Sequence, residues 1–409
     1  MVVLLISFFI SSCKTNSAPL FDGDIIRVDA YWDYPTIDLN LSDLVDISYI
    51  PLKPGDDNVM FGYHNVTRNI FVYQDQIFIA DRNRVMPKII VYNRSGDPVK
   101  IIGSTGRGPA EYIYISGMDI DTVAKEIFIW DKGSYRLIVY DMEGKLIREK
   151  EIEDSNSFCD FVLINSENVL IYNNRSKYIV KEETEFSRLS LRYDERRQIE
   201  YKTIRVFDSK TFSEVETPHF EYKNPRTFEI MPFYHYLSTA KEGIFFTNTC
   251  SDTLYLIDGS LVIHPEFIDA TDYKSVEARL FPAAETERYF FLNVELPSNG
   301  FPSNYLKKME ADARKTVANY FVYDKKLKKI FRINNGLPQL GYHDYRPALM
   351  KNKPAFNLRT LTQNHNYAAD LLSAEYLIDH YNELPAELKA IAKGMKIDDN
   401  PVLMLMKFK

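Results

Sequence analysis

Short runs of four or five consecutive apolar residues, each bounded by a charged or turn-forming residue, recur along the chain and set its architecture. Gln76-Ile77-Phe78-Ile79-Ala80-Asp81 is followed by Lys88-Ile89-Ile90-Val91-Tyr92-Asn93, then by Arg94-Ser95-Gly96-Asp97-Pro98-Val99-Lys100-Ile101-Ile102. The grammar returns about 50 residues later, a propeller-scale period. Glu126-Ile127-Phe128-Ile129-Trp130-Asp131 precedes Arg136-Leu137-Ile138-Val139-Tyr140-Asp141-Met142-Glu143-Gly144-Lys145-Leu146-Ile147. Residues apolar at successive positions need cover on both faces of a strand, whereas a sheet with one wet face alternates. A helix of this length would show a 3.6-residue period and few β-branched residues, and these runs show neither. Stacked small sheets satisfy the pattern.

Weaker copies follow. Asn168-Val169-Leu170-Ile171-Tyr172 goes with Thr203-Ile204-Arg205-Val206-Phe207-Asp208, and Gly243-Ile244-Phe245-Phe246-Thr247 with Thr253-Leu254-Tyr255-Leu256-Ile257-Asp258-Gly259. A fifth copy joins Tyr289-Phe290-Phe291-Leu292-Asn293 to Asn319-Tyr320-Phe321-Val322-Tyr323-Asp324 across an insertion. The recurring aromatic-then-Asp or Asn step caps its own hairpin turn, and Gly96, Gly144 or Gly259 is expected to supply positive φ at the reversal. A sixth copy is the most altered: strands at 346–350 and 355–359, helical patterns at 368–381 and 385–395, and a last strand from Asn400 to Phe408. An unpaired edge strand there would invite aggregation, so pairing with Leu44-Val45-Asp46-Ile47-Ser48-Tyr49-Ile50-Pro51-Leu52 near the amino terminus is favoured. The expected fold is all-β, a six-bladed β-propeller closed by N- and C-terminal strands, with a small helical insertion in the last blade.

Composition narrows the function. The 409 residues carry 50 Lys and Arg against 57 Asp and Glu, a net charge of -7, which excludes a uniformly cationic nucleic-acid surface. An apolar content of 45% excludes a disordered chain. Three cysteines exclude a disulfide scaffold, and seven histidines are few for a metal enzyme. Cys159 and Cys250 either pair in an oxidising compartment or remain buried thiols; sequence separation leaves both open.

At the amino terminus, Val2 to Ile10 form a run that is apolar apart from Ser7, of signal-peptide length and too short to span a bilayer. It ends in Ile10-Ser11-Ser12-Cys13, which resembles the bacterial lipobox, and that resemblance implies that Cys13 carries a lipid anchor. The expected domains are a lipoprotein signal peptide over 1–12, a tether and N-terminal extension over 13–40, and the propeller over 41–409. An ordinary cleaved signal or a buried amino-terminal strand is the alternative.

The segment Ile102-Gly103-Ser104-Thr105-Gly106-Arg107-Gly108-Pro109-Ala110-Glu111-Tyr112 resembles the Gly-x-Gly-Pro-x-Glu-Tyr stretch of bacterial six-bladed β-propeller lipoproteins with NHL-like blades. The likeness extends over almost the whole mature chain. It implies the cell envelope of a Gram-negative-type bacterium, as a periplasm-facing or outer-membrane lipoprotein, and implies no settled activity.

Gly103 to Gly108 does not make a phosphate loop, because Pro109 and Ala110 stand where Lys and Ser or Thr are needed. It reads as a tight inter-blade crossover in which Glu111 pairs with Arg107 or accepts backbone donors; Arg107, Glu111 and Tyr112 are also candidate ligand contacts. Counting back from each second strand places Asn69, Asp119, Asp160 and His235 near the start of the innermost strand. Such a polar ring would face the channel mouth, either solvated or holding a Ca²⁺ ion. No zincin, nucleophile-elbow or Cys-x-x-Cys motif exists, and no cofactor is indicated otherwise. Two insertions break the repeat, 175–202 with balanced charge and 295–318, with Phe301, Tyr305, Tyr342, His343 and Tyr345 in or beside them able to stack on sugar or peptide. The favoured function is a noncatalytic module, membrane-tethered, that binds a glycan, peptide or envelope protein. The alternative is a Ca-dependent lactonase-, esterase- or glycan-cleaving hydrolase acting in the central channel.

Overall fold

Each apolar doublet forms an antiparallel hairpin, and the hairpins group into six sheets. The computed structural model describes residues 21–22, 25–29, 32–37, 39, 41–55, 69–81, 86–153, 158–173, 204–217, 237–247, 252–270, 279–295, 320–333, 349–350, 353–354, 362–364 and 367–409. From inner to outer strand, blade 1 is Ile70–Tyr73, Gln76–Asp81, Lys88–Asn93 and Pro98–Ile102, and blade 2 is Ile115–Asp121, Glu126–Asp131, Arg136–Asp141 and Leu146–Glu151. Blade 3 is Phe158–Leu163, Asn168–Asn173, Ile204–Asp208 and Glu214–Val215; blade 4 is Leu237–Thr239, Gly243–Phe246, Thr253–Asp258 and Ile263–Asp269. Blade 5 is Arg279–Glu285, Tyr289–Glu295, Tyr320–Asp324 and Lys329–Ile333. Blade 6 is Thr362–Asn364, Tyr367–Leu372, Val402–Phe408 and, as its outer strand, Val45–Pro51. The protein is a six-bladed β-propeller.

The apolar core is divided among the seams between blades. Ile127 and Ile129 pack with Phe78, Ile89 and Val91 of blade 1, whereas Phe128 and Trp130 of the same strand pack with Phe161, Val169 and Ile171 of blade 3. Further clusters join blades 3 and 4, 4 and 5, and 5 and 6. The sixth cluster joins Ile50, Leu403 and Leu405 of blade 6 to Ile70, Ile77 and Tyr92 of blade 1. Adjacent side chains along a strand point to opposite faces, so successive apolar residues serve two different seams.

Blade 6 closes the ring as expected, with Met406 opposite Ile47 and Val402 opposite Pro51. The closing seam uses the same contact as an internal one. Gly96, at φ 78°, lies against blade 6, where an added Cβ would sit 2.0 Å from the Pro51 carbonyl oxygen. Gly144, at φ 88°, lies likewise against Ile102 of blade 1. Lys53 then ties its backbone N–H to the Gly96 oxygen at 2.8 Å and its Nζ to Asp97 at 2.6 Å.

The polar step after each third strand caps the following turn in five blades. Asn93 Oδ1 accepts from Asp97 N at 3.0 Å, Asp141 Oδ1 from Lys145 N at 2.8 Å, and Asp208 Oδ1 from Thr211 N at 2.7 Å. Asp258 Oδ1 accepts from Ser260 N at 2.8 Å and Asp324 Oδ1 from Lys326 N at 2.9 Å. Gly259 departs from expectation: in that turn the positive φ belongs to Leu261, at 64°. In all three turns the left-handed residue is the third after the capping Asn or Asp, the place of Gly96, Gly144 and Leu261, whereas Gly259 is the first.

The sixth copy differs from its sequence reading in two places. Residues 368–372 belong to a strand, not a helix, because Tyr367–Leu372 lies between Val402–Phe408 and Thr362–Asn364. Pairing on both sides and burial override the helix propensity of Ala368, Ala369 and Leu371. Helix begins only at Ala374–Asp379, where Ser373 Oγ accepts from Tyr376 N at 3.2 Å, and resumes at Ala386–Ala392. Leu377, Leu384 and Leu388 cover the blade 5–blade 6 seam. Leu349–Met350 pairs with Lys353–Pro354 in a separate two-stranded sheet and contributes nothing to blade 6; residues 355–359 lie outside the described residues.

The stretch between the amino terminus and blade 6 also carries strands. Ile25–Val28 runs parallel along the outer strand of blade 4, with Phe21–Asp22 folded back outside it, and Thr36–Ile37 runs parallel to the outer strand of blade 5. The chain thus follows the rim from blade 4 to blade 5 before closing blade 6.

Candidate functional site

The crossover from blade 1 to blade 2 joins the outer strand of one sheet to the inner strand of the next, and its glycines have separate tasks. At Gly103, φ 65°, an added Cβ would meet the Tyr112 ring and the Tyr140 hydroxyl, each at 2.7 Å. Gly106 and Gly108 leave room for the Glu111 carboxylate, which would be 2.1 Å from a Cβ on Gly106. That carboxylate turns back under the loop and accepts the Gly108 N–H at 2.7 Å. Of the two roles open to Glu111, the structure takes backbone capture. Tyr112 is fully buried and donates to the Ile102 oxygen at 2.8 Å, while Tyr140 donates to the Ala110 oxygen at 2.9 Å. Burial pushes both phenols well above their ordinary pKa, so they act as donors.

Blade 2 clamps the other end. Asp131 ends the second strand with no exposure, and its carboxylate accepts from Ile113 N at 3.1 Å, Tyr114 N at 2.8 Å, Gly133 N at 3.0 Å and Ser134 Oγ at 2.5 Å. Arg136 donates to the Glu111 backbone carbonyl at 2.7 Å and pairs with the Glu149 carboxylate at 3.0 Å. Arg107 and Pro109 stay exposed at the tip, and Arg107 has no hydrogen-bonding or ionic partner among the described residues. The loop is a rigid mount for a guanidinium. Sequence reasoning missed Asp131 and Arg136; the signal was present in the Asp that ends both Gln76–Asp81 and Glu126–Asp131, each buried.

Of the four residues counted onto the inner strands, the three that are described do not share one rung. Asp119 pairs across to Phe128, whereas Asp160 pairs to Tyr172, two rungs away, and Asn69 lies opposite Ala80 through a backbone hydrogen bond of 2.9 Å. The cause is local. The first hairpin of blade 1 turns in two residues and that of blade 2 in four, so the same count back from the second strand lands on different rungs. His235 lies outside the described residues.

Asp119 is directed into the seam between blades 2 and 3. Its Oδ2 accepts from Leu163 N of the blade 3 inner strand at 2.8 Å and its Oδ1 from Ile120 N at 2.8 Å, and it is 8% exposed. Asp121, next on that face, accepts from Ser166 Oγ of blade 3 at 3.1 Å. Burial raises the Asp119 pKa to about 7; the two N–H donors oppose the rise and Asp121 adds to it. Asp160 is half-buried and accepts from Phe161 N at 3.0 Å; Asn69 is buried. Among the described residues no three His, Cys, Asp or Glu side chains are grouped to hold a metal.

Asp119 has a folded pKa above its unfolded value, so its contribution to stability is complete below about pH 4 and is lost as pH rises through about 7. Asp119→Asn is therefore expected to flatten the fall in stability between those pH values, on the order of a few kcal/mol. Urea melts at a series of pH values check this; parallel pH profiles for the two proteins would contradict it.

The insertion residues 175–202, the aromatic residues Phe301, Tyr305, Tyr342, His343 and Tyr345, and the anchor Cys13 lie outside the described residues, as do the side chains of Cys159 and Cys250. No helix among the described residues is long and apolar enough to cross a membrane.

Residues 24–407 match a family described as a domain of unknown function, DUF4934. No curated protein matches the chain. Among solved structures, a protein of Bacteroides fragilis that carries the provisional description of an exported protein is 15% identical, with a TM-score of 0.62 over 94% of this chain and 99% of that one. A DUF4221 family member from Bacteroides vulgatus is 11% identical, with a TM-score of 0.46 over 90% of this chain and 97% of that one. Virginiamycin B lyase from Staphylococcus aureus is 9% identical, with a TM-score of 0.39 over 88% and 99%. At such identities the first likeness speaks to fold alone, and the other two carry no further argument.

Proposed function

The chain belongs to the DUF4934 family, and from that premise we propose that it is a noncatalytic ligand- or protein-binding module of the bacterial cell envelope, held to the membrane by lipid on Cys13. The blades are read as NHL-like, and the envelope is that of a Gram-negative-type bacterium. The similar Bacteroides fragilis protein, described provisionally as exported, supports the location, as does the apolar run ending at Cys13. The ligand classes that suit the reading are a glycan, a peptide or another envelope protein; the net charge of -7 disfavours nucleic acid.

One observation carries the binding reading: the blade 1–blade 2 crossover is clamped from below by Glu111, Asp131, Tyr112, Tyr140 and Arg136 while Arg107 projects from it. A loop held in one conformation loses little entropy on binding, which favours recognition. The carboxylates of Asp119 and Asp131 serve backbone donors instead of an open site. Purified protein screened against envelope glycans and peptides is expected to bind a member of the panel. Arg107→Ala should weaken that binding about tenfold or more, the loss of one charge-assisted contact, with an unchanged melting temperature. Turnover of an ester, lactone or glycoside with a bound divalent ion would instead establish the hydrolase reading.

A further inference from the structure

We infer that the propeller stands on its rim at the membrane, with blade 4 nearest the lipid surface and blade 1 farthest from it; this rests on the Cys13 anchor proposed above. The partner in this orientation is the bilayer surface. The ring order follows from the seams: each cluster joins consecutive blades, and the last joins blade 6 to blade 1, so blade 1 lies across the ring from blade 4. The amino-terminal chain enters at the outermost edge of blade 4. Phe21–Asp22 pairs outside Ile25–Val28, and Ile26, Arg27 and Val28 pair with Phe267, Ile268 and Asp269 of the outer strand.

The step of eight residues from Cys13 to Phe21 reaches at most about 28 Å. A propeller of this length is roughly 50 Å across. The tether is therefore short compared with the ring, and it holds one edge. Nothing on the described surface pulls a ring face down: the large exposed apolar residues are scattered over the blades, and the net charge of -7 opposes approach to anionic headgroups. Blade 4 stays close to the lipid because it is tied there, and the remaining blades move outward. Both ring faces, and the Arg107 loop beside blade 1, are then open to solutes.

The test uses the full lipidated chain with Cys159→Ser and Cys250→Ser, and one added cysteine at a time carrying a donor dye. Val262→Cys and Leu327→Cys place it in the hairpins before the outer strands of blades 4 and 5, and Val99→Cys and Ile147→Cys in the outer strands of blades 1 and 2. All four residues are similarly exposed, at 46%, 50%, 52% and 44%. The protein is reconstituted in vesicles of phosphatidylethanolamine and phosphatidylglycerol with acceptor dye on the headgroups. Energy transfer is expected to be highest at position 262, intermediate at 327 and several-fold lower at 99. Equal transfer at all four positions, or the highest at 99, overturns the orientation while the anchor stands. Mass spectrometry of the Cys13 peptide and the distribution of a Cys13→Ser variant decide the anchor separately: an unacylated Cys13, or a variant still held in membranes, overturns both.

Discussion

A chain that stops at Pro401 is expected not to fold. Val402, Leu403, Met404, Leu405 and Met406 are each at most 3% exposed, and they feed two seams at once. Burial of each such side chain stabilises by about 1.5–3 kcal/mol, so together they match the whole stability of an ordinary domain, about 5–15 kcal/mol. Losing the strand also leaves Tyr367–Leu372 and Val45–Pro51 without the partner that joins them. Circular dichroism with thermal melting reads the result. The truncated chain should show no cooperative transition, whereas a melt within a few degrees of the full chain would mean that the last strand is dispensable.

The second large effect is expected at Asp131. Asp131→Ala strips a fully buried acceptor from Ile113 N, Tyr114 N, Gly133 N and Ser134 Oγ at once. A donor left unsatisfied costs about 1–3 kcal/mol when it is buried; Ile113 and Tyr114 are half-buried and Gly133 is exposed, so water takes over part of the bonding and a loss of about 2–4 kcal/mol is expected. Asp131→Asn keeps one acceptor oxygen and should lose about half as much. Urea unfolding of the three proteins checks the order. A loss below about 1 kcal/mol for Asp131→Ala would show that the crossover is held by other contacts.

The fold was readable because the physics that makes a propeller is written at short range. Successive apolar residues such as Ile127, Phe128, Ile129 and Trp130 demand cover on both faces, and the structure gives each face its own neighbour blade. The Asn and Asp steps at Asn93, Asp141, Asp208, Asp258 and Asp324 cap their turns through nearby backbone N–H groups, so local chemistry predicts them. Closure followed from the hazard of an open edge.

What the sequence hid depends on distant partners. Asp119 looked like a channel residue because counting along the chain cannot register a turn two residues longer than that of blade 1. Its partner, Leu163 N, belongs to another blade. Asp131 sits at the end of a strand like any turn aspartate, yet it holds a crossover 17 residues earlier, and nothing short-range distinguishes the two roles. The strands at Ile25–Val28 and Thr36–Ile37 are too short to stand out from the repeat, although Ile26 and Val28 are buried in the blade 4–blade 5 cluster, and their pairing depends on the outer edges of blades 4 and 5 offering unpaired backbone. The segment at 368–372 misled for the opposite reason, its alanines and leucines favouring a helix until pairing decided otherwise.

Closure of the ring by the two ends of the chain underlies the seams, the clamped crossover and the rim orientation alike. Asp46 and Lys407 stand opposite each other in the last blade and are both exposed. In a chain lacking Cys13, Cys159 and Cys250, Asp46→Cys and Lys407→Cys should be joined within one molecule by a short bifunctional thiol reagent, with the protein remaining monomeric and folded. Mass spectrometry of the proteolysed product would then find the two positions in one linked peptide pair. Thiols that react singly, or link only between molecules, would contradict the closed propeller.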